Sequence, residues 1–96
     1  MSLQDLLKNK RDEILSITAK HGVYNVRVFG SVIHGDEEPE SDIDFLVDVG
    51  ADHSRFFPGG LIVDLEDLLG RRVDIVTENA LHWYIRDRVL KEAAPL

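Results

Sequence analysis

The sequence predicts an α/β fold of the α+β kind: a small mixed sheet of three or four strands with helices packed on it, in one domain spanning residues 1–96. Two observations carry this expectation. First, the apolar period switches between about 3.6 and 2 along the chain, which separates helices from strands. The order is helix, strand, strand, helix, strand, helix. Second, only a loop joins the first two strands, whereas a helix separates the second from the third. A direct connection suits an antiparallel pair and a helical crossover suits a parallel one, so the sheet is mixed.

Ser2 reads as an N-cap, with Asp5 three residues later completing a loose capping box. Leu3, Leu6, Leu7, Ile14 and Ile17 follow helical spacing, Lys10 interrupts that stripe, and Gly22 supplies a stop. One amphipathic helix is expected over 3–20. Residues 24–29 (YNVRVF) read as a strand with Val26 and Val28 on one face, closed by Gly30. Residues 35–41 contain Gly35 and Pro39 and read as a loop. Residues 42–49 (DIDFLVDV) are the clearest strand, with Ile43, Phe45, Val47 and Val49 alternating with Asp42, Asp44, Leu46 and Asp48. After the loop GADHSRFFPGG, residues 61–69 read as a helix ending at Gly70, RRVDIVT as a third strand, and about 80–93 as a last helix with Leu81, Ile85 and Val89 on one face.

Composition narrows the function classes. A chain of 96 residues buries only about 60–65% of its unfolded surface, so a partner covering apolar surface would help it. No apolar run is long enough to span a membrane, and MSLQDLLKNKRDEILSI lacks the apolar region of a signal peptide. With no cysteine there is neither a disulfide nor a thiolate zinc site. A cytoplasmic protein is expected. The net charge is −7, from 11 basic and 18 acidic residues. A nucleic-acid backbone needs several lysine or arginine contacts, so nucleic acid is disfavoured and divalent cations fit better.

Asp42 and Asp44 stand at i and i+2 on a strand, so both carboxylates point to one face. Such a pair repels itself unless a cation sits between its members. Hard oxygen ligands on a rigid strand suit Mg²⁺, which takes a few carboxylates together with substrate phosphates. Asp74, between apolar Val73 and Ile75, supplies a third carboxylate that converges with the other two if strand three lies beside strand two. Three carboxylates can hold two metal ions about 3.5–4 Å apart for in-line displacement at phosphorus. Gly30 and Ser31 come straight after a strand, where a tight turn brings backbone N–H groups and a hydroxyl close to a phosphate. Asp48 shares the face of Asp42 and Asp44 but lies ~13 Å from Asp44 and is not expected to be a ligand. His21, His53 and His82 read as surface histidines. Asp36, Glu37, Glu38 and Glu40 read as a solvated loop, and Phe56, Phe57, Trp83 and Tyr84 as core or partner contacts.

Gly30-Ser31, ten intervening residues, then Asp42-Ile43-Asp44 resembles the G-S-x10-D-x-D signature of the nucleotidyltransferase superfamily that includes DNA polymerase beta. Leu69-Gly70-Arg71-Arg72-Val73-Asp74-Ile75-Val76 looks like the segment with its third carboxylate, and Arg86 to Ala93 like the tail of its small members. Along nearly its whole length the chain is similar to the minimal nucleotidyltransferase (MNT) family. That resemblance implies a nucleotidyltransferase fold, two Mg²⁺ ions and ATP as substrate. It also implies an antitoxin paired with a helical HEPN ribonuclease toxin, silenced by transfer of AMP to a tyrosine. On it, Asp42, Asp44 and Asp74 are catalytic metal ligands, and Gly30 and Ser31 hold the phosphates. Where many relatives carry arginine after the Gly-Ser, this chain has Val32 and His34. A non-catalytic module that neutralises a toxin by covering it is the alternative, and transfer to RNA a third reading. A two-metal site on so small a sheet has little wall, so a homo- or hetero-oligomer is expected.

Overall fold

The computed structural model describes residues 3–30, 42–53, 55 and 57–96. Met1, Ser2, residues 31–41, Ser54 and Phe56 lie outside the described residues, and with them the expected Ser2 cap and the loop 35–41.

The first helical stretch is two helices, α1 (Leu3–Asn9) and α2 (Arg11–Lys20), rather than the single helix expected. The break falls at Lys10, where the apolar stripe lapses. Parting there lets Leu3 and Leu7 from α1, and Ile14 and Thr18 from α2, reach the core without burying the ammonium of Lys10. Strand β1 (Val23–Phe29) and strand β2 (Ile43–Val49) follow, then α3 (Gly59–Leu69) and β3 (Val73–Thr77). Gly70, at φ +65°, closes α3 in the left-handed conformation and donates its N–H to Glu66 O at 2.8 Å.

The last helix begins later than expected. Glu78–Ala80 make a short 3₁₀ turn, and α4 (Trp83–Glu92) starts after His82, whose Nδ1 accepts the Tyr84 N–H at 3.1 Å. Histidine is an unusual N-cap, so the sequence signal for this boundary was weak. A two-residue strand β4 (Ala94–Pro95) ends the order.

The four strands lie in the order β3-β2-β1-β4. β1 pairs antiparallel with β2 and β4, and β2 pairs parallel with β3, so the expected mixed sheet is present. One face carries the core. Val28, Ile43, Phe45, Val47 and Val73 pack with Leu3, Leu7 and Ile14 and with Leu61, Leu65 and Leu69 of α3. Ile43, Phe45, Val47, Leu61 and Leu65 are wholly buried, each worth about 1.5–3 kcal/mol relative to exposure. Leu46 and Val89 are buried apart from that core. The crossover through α3 steps from β2 out to β3, and the crossover through α4 steps back past β2 and β1 to β4. Parallel crossovers are right-handed, so opposite steps put α3 and α4 on opposite faces.

The α4 face is tied down by one arginine. Between Tyr24 and Arg27 the β1–β2 register shifts, and Asn25 takes φ +51°, a bulge that bends the strand. Arg27 Nε donates to Asn25 O (3.0 Å), Nη1 to Glu78 Oε1 (3.1 Å) and Nη2 to Asp48 Oδ1 (3.1 Å). Asp48 is thereby engaged in structure, in line with its exclusion as a ligand. The Arg27 side chain is 12% exposed, so the guanidinium has lost most of its hydration and depends on these partners. Arg27→Ala leaves Asp48 without its counter-charge and Glu78 with only the longer Arg86 contact. The expected result is about 2 kcal/mol less unfolding free energy in urea, below the 3–5 kcal/mol of a fully buried pair because both carboxylates keep some solvent.

Candidate functional site

The parallel register sets Asp44 opposite Asp74 and Ile43 opposite Val73, while the antiparallel register sets Phe29 opposite Asp44. Strand alternation then puts Asp42, Asp44 and Asp74 together on the face away from the core. The shared face is the one expected from sequence, and the register brings Asp44 beside Asp74. Neighbouring strands are ~4.8 Å apart, and the effect on Asp44 is direct. Its carboxyl is pushed up from 3.8 to about 6, first by burial and then by the charges of Asp74 and Asp42.

Gly30 closes the other side of Asp44. A Cβ at Gly30 would lie 2.5 Å from Asp44 Oδ2, and its φ is +77°. Glycine is therefore required twice over, by the backbone conformation and by the carboxylate resting against it. The site is a line across the sheet: Gly30 at the end of β1, Asp44 on β2, Asp74 on β3. Ser31, Val32 and His34, and the acidic residues 36–40, lie outside the described residues. As they stand, the aspartates do not form a closed ligand set; among the described residues, no group of three or more histidine or acidic side chains is placed to hold a metal ion.

The remaining candidates fall away from this line. His21 is not a surface histidine: its side chain is 12% exposed, and Nε2 sits 2.8 Å from Asp64 Oδ2, joining the end of α2 to α3. His53 Nδ1 lies 3.1 Å from Gly50 O. Phe57 packs against the core, and Phe56 lies outside the described residues. Trp83 and Tyr84 are not core; they are 79% and 77% exposed at the start of α4. A polar cavity of about 390 Å³ lined by Tyr24, Asp48, Thr77, Glu78 and Asn79 marks the far end of β2 and β3. Sequence reasoning missed the Arg27 tie and the Tyr24–Arg27 bulge, since neither follows from spacing within one strand. No helix among the described residues is long and apolar enough to cross a membrane.

The nucleotidyltransferase domain family matches residues 9–95. A Methanocaldococcus jannaschii protein provisionally named protein adenylyltransferase MJ0435 is 40% identical over 81 residues, covering 84% of this chain and 87% of its own length. Protein adenylyltransferase MntA of Thermococcus cleftensis is 38% identical over 89 residues, covering 84% of this chain and 90% of its own. A solved structure provisionally described as a minimal nucleotidyltransferase superposes with a TM-score of 0.85 at 44% identity, covering 100% of this chain and 97% of that one. A crystal structure of a toxin–antitoxin with AMP-PNP shares the fold, with a TM-score of 0.72 at 20% identity over 88% of this chain and 69% of that one.

Two predictions follow from the geometry. Gly30→Ala strains a left-handed residue and displaces Asp44, so thermal melting should fall by about 4–8 °C, the equivalent of ~1 kcal/mol in a domain this small. For Asp44 the sign is the reverse. A carboxyl whose folded value is raised from 3.8 to about 6 destabilises the fold when ionised. That cost is full above about pH 6 and gone below about pH 4. Without divalent cations, Asp44→Asn should therefore melt higher than wild type at pH 7.5, by about 4 °C once solvent screening is allowed for. At pH 4 the two should melt together.

Proposed function

The chain belongs to the nucleotidyltransferase domain family, and from that premise we propose that it is an antitoxin that transfers AMP from ATP to a hydroxyl, a tyrosine, of a helical HEPN ribonuclease toxin. The observation that carries this reading is Asp44 held between Gly30 and Asp74 on a face free of the main core. Relatives named as protein adenylyltransferases support the reaction. The shared fold of a toxin–antitoxin crystal structure with AMP-PNP supports the setting.

The donor chemistry fits Mg²⁺. Three hard oxygen donors share one face of rigid strands, and Asp44 carries the repulsion of Asp74 and Asp42. Asp42 and Asp44 would hold both ions and Asp74 the one nearer the acceptor. Bound there, Mg²⁺ supplies charge neutralisation at the α-phosphate. Gly30, with no side chain, lets the backbone approach the β- and γ-phosphates, and Ser31 adds a hydroxyl. Asp74 accepts the proton of the attacking hydroxyl. The oxygen of that hydroxyl bonds to the α-phosphorus as the bond to pyrophosphate breaks. Trp83 and Tyr84, exposed on a short helix, support a protein partner.

The purified chain, incubated with its HEPN partner, should label that partner from α-labelled but not γ-labelled ATP. Asp42→Asn with Asp44→Asn should reduce labelling at least about a hundredfold, ~2.7 kcal/mol of barrier. Mg²⁺ at saturation should raise the melting temperature of wild type and leave that double variant unmoved. Absence of label where complex formation is confirmed overturns the transfer reading. Neutralisation undiminished in an Asp42→Ala, Asp44→Ala variant at equal abundance would establish the binding-module alternative instead.

A further inference from the structure

The line Gly30–Asp44–Asp74 crosses the strands, and the order β3-β2-β1-β4 makes its ends unequal. Beyond Gly30 the sheet continues through β1 to β4. Beyond Asp74 it stops, because β3 is an edge strand. In an in-line displacement the leaving group and the attacking oxygen lie on opposite sides of phosphorus. With pyrophosphate at Gly30, the attacking hydroxyl comes in over the β3 edge.

Arg72 stands at that edge. Its carbonyl accepts the Ile43 N–H at 2.9 Å, which fixes residue 72 in the ladder one place before Val73. Alternation puts it on the face of Asp74, two residues on, and beside Asp42 across the strand pair. Arg72 is exposed, and no hydrogen bond or ion pair engages its side chain among the described residues. Arg27, by contrast, is fully occupied, and Arg86 lies 4.0 Å from Glu78.

We propose that Arg72 recognises the acceptor: its guanidinium pairs with a carboxylate flanking the acceptor hydroxyl, in a protein segment that docks across the β3 edge. This rests on the nucleotidyl-transfer reading and names its substrate class. A guanidinium grips a carboxylate at two points. One arginine suffices for one carboxylate, whereas a nucleic-acid strand needs several cations and meets a chain of net charge −7.

The test uses tyrosine peptides that differ only in flanking residues, glutamate, glutamine or lysine, each with an unreactive phenylalanine twin. Wild type should show a KM for the glutamate-flanked tyrosine lower than for the lysine-flanked one by about tenfold, as one charge-assisted pair supplies, and the twins should bind in the same order. Arg72→Glu should reverse the order and Arg72→Ala should level it. Mg-ATP affinity, measured by calorimetry, should stay within about threefold in Arg72→Ala. Three results overturn the assignment: an unchanged flank preference in variants that melt like wild type, loss of Mg-ATP affinity in Arg72→Ala, or an RNA 3′-hydroxyl outcompeting every peptide as acceptor. If the twins bind with the expected preference but no tyrosine is labelled, Arg72 keeps its role and the transfer reading fails.

Discussion

The parallel pairing of β2 with β3 is the constraint on which the rest depends. It places two aspartates opposite one another, Asp44 and Asp74, in an arrangement that electrostatics alone would reject. What holds the pairing is the other face of the same strands. Ile43, Phe45 and Val47 are wholly buried and Val73 nearly so, and a slip of one residue would turn all of them to solvent. Burying three such side chains outweighs the repulsion of half-solvated carboxylates by several kcal/mol. The apolar alternation of residues 43–49 therefore does two jobs. It builds the core, and it fixes where the charges stand.

The same division accounts for what sequence could and could not show. Asp42, Asp44 and Asp74 were legible because a period of two assigns faces without knowledge of the rest of the fold. The loop expected between the first two strands, and the helix between β2 and β3, likewise gave strand directions before any register was known. The helix break at Lys10 was visible only as a gap in a stripe, since local propensity permits one continuous helix and only the shape of the sheet beneath decides. The Arg27 tie joins residues 25, 27, 48 and 78, which no local pattern relates. The N-cap of α4 was obscured because histidine has little capping preference and Asn79, the better capping residue by type, lies in the 3₁₀ turn before it.

Handedness then arranges the open face. Because α3 and α4 complete crossovers in opposite directions, α3 seals the core face and α4 lies over the other. α4 begins beyond the far end of β3 and leads to β4 beside Val28, so it crosses the sheet obliquely. Its Arg86 approaches Glu78, which Arg27 holds, so its anchoring is at the Asp48 end of the strands. Asp44 lies about four residues of strand, ~13 Å, away from that anchor. One end of the face is stabilised by compensated charge. At the other, burial and the charges of Asp74 and Asp42 raise Asp44, a cost that a bound counter-ion would relieve.

That contrast bears on how so small a domain manages a charged site at all. Arg27 neutralises Asp48 and Glu78 within the chain, and that end of the sheet needs nothing further. Asp42, Asp44 and Asp74 have no such cation among the described residues, and Arg72, across the strand pair from Asp42, stands exposed at the edge strand. Had Arg72 closed onto the aspartates, the fold would have gained a surface ion pair worth about 0–1 kcal/mol, and the carboxylates would have been tied up as donors. Leaving charge of both signs unpaired on neighbouring strands costs the isolated domain little, because each group keeps much of its water. On the proposed reading, those charges stay available to a dication and to an anionic group of the acceptor.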